Sequence, residues 1–294
     1  MMATSIEQLW YSSTRVGLSE TAGWQVRAAS PRWHDAAARE RIAGLLAYEL
    51  PRGWVTRPGD EARAPVSLAL VAAADGERYL VRRQYLGLTW DRRPGNSCSH
   101  LLGPLPAGFD AYDAICCWDA AWWRRDDADL ALHERKLPTV DPTPAPWAAQ
   151  PAFDAHLQEV VAAVIEAWLE RVKRGDGRIA LLGRPAEIAD VLRAACGGLP
   201  ASTLGSLTFS TYERGIDAPG RPLICGVYRD SSPPELRRVP ESGADAASSL
   251  RQQYVNKVLP WLEESVPETR RAMQGEPAAP ADGDPEQHWV AWIR

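Results

Sequence analysis

The run Arg92–Pro106, RRPGNSCSHLLGPLP, sets a thiol and a hydroxyl, Cys98 and Ser99, directly before His100, one of only five histidines. A cysteine or serine beside a histidine has the composition of an activated nucleophile, whose base must sit about 3 Å away. In a strand, however, side chains alternate between faces, so Cys98 and His100 share one face with β-carbons roughly 7 Å apart. Catalysis would then need a base from elsewhere: His34, His133 or His156. The plainer reading is a strand that starts after the Pro94-Gly95 turn, with Asn96 bonding the turn backbone and His100 held at a domain edge. No catalytic residue is assigned on this reading. If the chain is an enzyme, it is a hydrolase using Cys98 or Ser99 with a remote His, and Cys98, Ser99 and His100 are the residues to vary.

Other chemistries find less support. Cys116 and Cys117 are adjacent and diverge, and no Cys-x₂-Cys or His-x₃-His pair exists, so neither a metal nor another cofactor is expected. Gly183–Glu187, GRPAE, puts a glycine and a helix start after a strand, an anion-binding position in principle. It lacks the Gly-x₄-Gly-Lys spacing, which leaves a nucleotide-sensing module as a third reading.

Aromatic residues point instead to contacts. There are 13 Trp but only 3 Phe, and tryptophan serves both cores and interfaces. In CCWDAAWWRRDD, helical geometry would align Trp118 with Trp122 and turn Trp123 away beside Arg124 and Arg125, the composition of an interface hot spot. Core packing with one edge Trp is the plainer reading. The final HWVAWIR carries Trp289 and Trp292, an apolar cluster that would fold back as an edge strand, dock on a partner, or pack on a further domain from which this chain is cut short.

These residues need a scaffold. A chain of 294 residues, 45% apolar and 24% charged, reads as about two globular domains. A net charge of −5 and a pI near 5.6 argue against nucleic acid as the main partner. No apolar run is long enough for a membrane span and no secretory signal is legible. The odd cysteine count, 5, reads as free thiols in a reducing cytoplasm.

Short strands are predicted at Ile6–Ser13 and Gly23–Ala29, then a helix over Asp35–Leu50 with Asp35 as cap and Pro51 as stop. Val66–Ala73 and Arg78–Tyr85 flank an Asp75-Gly76 hairpin turn, and a strand follows from Asn96 to Leu102. Leu137–Pro151, with five prolines, is read as a boundary. Beyond it, apolar residues from Phe153 to Val172 recur at helical spacing. A strand at Arg178–Leu182, a helix from Pro185 to Gly198, and strands at Leu207–Tyr212 and Leu223–Tyr228 come next. A last helix, Leu250–Glu263, should kink or break at Pro260, and Pro267–Glu286 has the composition of flexible chain. The expected architecture is α+β in two domains, 1–137 and 152–265. Each would carry a mixed or antiparallel sheet with helices packed on it, joined by a linker at 138–151 and followed by a tail at 266–294.

The stretches EQLWYSS, GWQVRAASPRW and above all RRPGNSCSHLLGP resemble the N-terminal domain of the GTPase-associated protein family of bacterial NTP-dependent conflict systems. The last is similar to that family's Arg-x-Gly-Asn-x-x-x-His-x-Leu pattern after a tyrosine-bearing strand, here with Tyr85. GLPASTLGSLTFSTYERG resembles the family's middle domain. Arg32 departs from the small residue expected after Pro31, and nothing beyond about Ser265 corresponds. The resemblance implies a non-catalytic adaptor that links a GTPase or related NTPase to an effector in anti-phage-type immunity. It marks Arg93, Gly95, Asn96 and His100 as a fixed turn or a recognition surface.

Overall fold

The computed structural model describes residues 5–19, 21–54, 56–57, 59–126, 134–142, 153–174, 178–216, 221–230, 234–238, 249–275 and 289. The first half opens with β1 (Gln8–Thr14) and β2 (Gly23–Ala29), an antiparallel pair. Asp35 caps α1 (Ala36–Ile42) by accepting the Ala37 N–H at 3.1 Å. The predicted helix stops early because the following carbonyls serve the sheet: Leu45 O accepts from Arg83 Nε and Leu46 O from Ser99 Oγ. β3 (Ser67–Ala72) and β4 (Arg78–Leu88) form the expected hairpin, with Gly76 at φ +84° in its turn. β5 (Pro94–Leu102) pairs with both β4 and β1, and the short α2 (Ala111–Cys116) follows.

The second half supplies α3 (Ala155–Arg174), β6 (Ile179–Gly183), α4 (Pro185–Gly198), α5 (Ala201–Leu204), β7 (Phe209–Glu213), β8 (Ile224–Tyr228) and β9 (Glu235–Arg238). It ends in α6 (Ser249–Glu264) and α7 (Val266–Met273). The α+β class is as expected, but the halves do not carry separate sheets. One nine-stranded sheet runs β2-β1-β5-β4-β3-β7-β8-β6-β9. The join is β3 against β7, where Ala69 faces Ser210 and Leu70 faces Phe209.

Side chains fasten this seam. The Leu68 N–H donates to Thr211 Oγ1 at 2.9 Å, and Ser67 Oγ lies 3.1 Å from Ser210 Oγ. Arg83 and Glu213 form a buried ion pair at 3.0 Å, and Arg221 meets the other Glu213 oxygen. Strand alternation then fills two layers. Leu68, Leu70, Leu80 and Leu102 pack into one core with buried residues of α3, α4, α6 and α7. Ala69, Val71, Val81 and Leu101 face the opposite side, under Trp33, Ala38 and Ile42. A core that draws on both halves explains why strand periodicity alone did not reveal a single sheet.

Three further expectations are corrected. α6 is not broken at Pro260, whose missing N–H bond is tolerated because Val255, Val258 and Leu262 are anchored in the core. The tail is ordered at its start: α7 buries Val266 and Met273, and Ser265 caps it through the Glu268 N–H. Pro138 and Val140, assigned to a linker, are held by the first half, since Pro138 O accepts from Gln8 Nε2 and Ile6 exchanges backbone bonds with Val140.

The sheet's outer edges are occupied or short. On β2, Val26 O accepts from Leu18 N–H, Ala29 N–H donates to Arg135 O, and Ala29 O accepts from Leu137 N–H. At the other edge, β9 has only four residues. Among the described residues, no helix is long and apolar enough to cross a membrane.

Because Arg83 and Glu213 are both buried, Glu213→Ala should cost about 3–5 kcal/mol in urea unfolding by stranding the guanidinium. Replacing the pair together, Arg83→Met with Glu213→Leu, should cost much less. Equal losses for the single and double variants would contradict this account of the seam.

Candidate interaction surface

Arg93 closes the loop before β5, and the run from Pro94 to His100 lies in that strand, where its polar atoms hold the scaffold together. Gly95 has φ +116°, a conformation that side-chain-bearing residues rarely adopt. The Tyr85 hydroxyl on β4 meets the Gly95 backbone and the Thr56 side chain. Asn96 accepts the Ser13 N–H at 3.3 Å, tying β5 to β1 instead of bonding its own turn as the sequence predicted. Arg93 is solvent-exposed and pairs with Asp91 at 3.1 Å, a contact worth little in water.

His100 is fully buried between Trp10 and Trp123, whose rings meet it edge-on at 5.9 and 5.2 Å. Its Nδ1 accepts the Arg124 N–H at 3.1 Å, so the ring proton sits on Nε2 and donates to Gln8 Oε1 at 2.8 Å. Gln8 Nε2 in turn donates to Pro138 O at 2.6 Å. Burial, aided by the Arg124 and Arg82 charges, pushes the imidazole pKa down to about 3. A neutral ring with both nitrogens bonded and no exposed surface is a structural strut, not a base open to substrate.

Cys98 and Ser99 are also buried. Ser99 points to the other face, donating to Leu46 O at 2.7 Å, so it cannot pair with His100. His34 and His156 bind the carbonyls of Ala29 and Pro234, while His133 lies outside the described residues. Burial raises the Cys116 thiol to about 11 and Cys117 higher still, which suppresses thiolate formation. No group of three or more metal-ligating side chains occurs among the described residues. At the start of α4, the Arg184 N–H is already met by Glu187 Oε2 at 3.2 Å. The anion position at Gly183–Glu187 is thus filled by the chain's own carboxylate.

The helical alignment expected for the tryptophans is not what forms. α2 ends at Cys116, so no helix aligns Trp118 with Trp122. Trp118 and Trp122 are half-buried against the core, and Trp123 is buried with its Nε1–H donating to Cys117 O at 2.5 Å. Trp289 is buried near Tyr254, their rings 6.5 Å apart, and its backbone is helical, not an edge strand. Trp292 lies outside the described residues.

Apart from Trp261 on α6, the exposed large apolar side chains among the described residues lie at the end of the sheet where β5 begins. Leu88, Trp90 and Trp24 are 55%, 43% and 46% exposed. The Thr89–Arg93 loop closes tightly: Thr89 N–H donates to Arg93 O at 2.8 Å, Arg92 N–H donates to Thr89 O at 2.9 Å, and Arg92 sits at φ +64°. A loop this short has no interior, so Trp90 stands outward with the Arg15 guanidinium over its ring at 5.8 Å. One strand over, Tyr11 and Trp24 stack at 5.9 Å. Arg92 and Arg93 are exposed beside them. Sequence reasoning missed these residues, although the signal was present. Leu88 and Trp90 fall among the turn residues Thr89 and Asp91, where a core position is impossible.

Fold and site together define an α+β protein with a sealed imidazole strut and an aromatic–arginine sheet end. Residues 5–143 match the model of a known family, GTPase-associated protein 1, N-terminal domain type 2, and are similar to that domain. The match ends inside the proline-rich run. No curated protein and no solved structure matches the chain.

The His100 geometry fixes a pH dependence. An unfolded histidine titrates near about 6.5, so below that pH the unfolded chain binds a proton that the folded chain refuses. Stability should therefore fall as pH drops from about 6.5 toward 3, by at most about 1.4 kcal/mol per unit from this residue. Urea midpoints at pH 5 and 7 should differ in this sense, and His100→Gln should narrow the gap. An unchanged gap in the variant would show that His100 is not the group responsible.

Proposed function

We propose that the chain is a non-catalytic accessory protein that works by protein–protein contact, linking a GTPase or related NTPase to an effector in a bacterial conflict system. The family match at residues 5–143 supports the GTPase connection. The observation that carries the non-catalytic reading is the burial of Cys98, Ser99 and His100, each engaged within the sheet, while tryptophans at the end of the same sheet face solvent. On this reading Arg93, Gly95 and Asn96 shape the loop that displays Trp90, and His100 braces the strand behind it. The second half, which the family match does not reach, serves as a middle domain sharing the sheet. The protein acts in the cytoplasm without a cofactor and without nucleic acid.

Mixing the purified chain with GTPases encoded near it should bring both to an earlier elution volume on size-exclusion chromatography. If no GTPase forms a complex, and the chain hydrolyses an ester or peptide in a way lost in His100→Ala at unchanged stability, the adaptor reading fails.

A further inference from the structure

We propose that two copies of the chain associate head to tail, the Trp90 end of one sheet seating on the groove between α6 and α7 of the next. The groove is open, about 210 Å³, and is lined by Trp261, Glu264, Ser265, Glu268, Thr269 and Ala272. Trp261 is 39% exposed there, an apolar floor flanked by carboxylates. Glu264 has no cationic partner among the described residues, and Glu268 has only the exposed Arg271 at 3.7 Å.

The Trp90 end is its chemical complement. Arg15 has Trp90 as its partner and no carboxylate, and Arg92 has none either, among the described residues. With Arg93 balanced by Asp91, and Glu61 beside Gly87 set against one of Arg15 and Arg92, this end is still left net positive on a chain whose total is −5. Exposed indole with guanidinium is the anchor composition of interface centres, and an acidic, apolar-floored groove is the surface it fits.

One molecule does not satisfy both surfaces by itself. The Trp90 loop lies at the Pro94 end of β5, and that strand runs about 26 Å to Leu102. α7 is anchored near the far end, where Arg270 pairs with Asp110 at the cap of α2. Different patches meet in this contact, so it is heterologous and can propagate from copy to copy. The proposal is independent of the GTPase reading.

Sedimentation velocity of the full chain tests it. The weight-average mass should rise with protein concentration and fall again at high salt, which screens the charged contact. Trp90→Ser with Arg15→Glu should weaken association about thirtyfold or more, the effect of losing a hot-spot anchor. Trp261→Ser with Glu264→Lys should do the same, and Glu264→Lys alone serves if the tryptophan change unsettles α6. Thermal midpoints should stay near wild type, since both surfaces are exposed. The decisive arm mixes the two variants. Each alone is monomeric, but the mixture joins one intact loop to one intact groove and stops at a dimer. A chain that stays monomeric at every concentration overturns the proposal, as does association that either variant leaves unchanged, or a mixture that fails to pair. A (dT)₂₀ oligonucleotide that binds the wild type but not the Trp90 variant, without self-association, would assign the loop to nucleic acid instead.

Discussion

The pairing of β3 with β7 is the constraint on which the rest of the molecule depends. It joins residues 143 apart in sequence, as the Ser67–Ser210 contact records. Closing a loop of that length costs about 4 kcal/mol of chain entropy beyond a constant term. Burying two side chains such as Leu70 and Phe209 returns about as much, at roughly 1.5–3 kcal/mol each. The seam is therefore affordable only because apolar burial surrounds it. The family match stops at residue 143, yet β3 needs β7, more than sixty residues further on. A fragment cut at that boundary would leave β3 with an unpaired edge and lose the helices that cover Leu68 and Leu70.

A second set of bonds organises the first half from within. The Arg124 backbone, His100, Gln8 and Pro138 form one hydrogen-bonded line across β5 and β1. It keeps the segment that follows α2 and the segment before α3 against the same strands. A histidine suits this position because one ring nitrogen accepts while the other donates, and burial keeps it neutral. The residues that looked most chemical in the sequence are thus the ones most fully withdrawn from solvent.

Much of the scaffold was legible in the sequence. The 23–29 strand, the Asp75-Gly76 hairpin, the Asp35 cap and the Pro185–Gly198 helix all follow from local patterning, and the structure holds them where expected. What local patterns cannot carry is partnership at a distance. α1 ends early because Arg83 and Ser99 claim the next carbonyls, and β9 escapes notice because its Glu-Leu-Arg-Arg has one apolar residue and gains its order from β6. Trp123 was misread since its exposure depends on where α2 stops. Asn96 was expected to bond its own turn, but the atom that it binds, on β1, belongs to another strand.

The treatment of the sheet's flanks has a consequence for behaviour in crowded solution. Where Leu18, Arg135 and Leu137 already occupy the rim of β2, and β9 offers only a brief rim opposite, a neighbouring molecule finds little template for adding strands sideways. Ribbon-like fibril growth is discouraged at both borders. Encounters are channelled toward the tips of the layer, where side chains, not main-chain ladders, decide which surfaces hold.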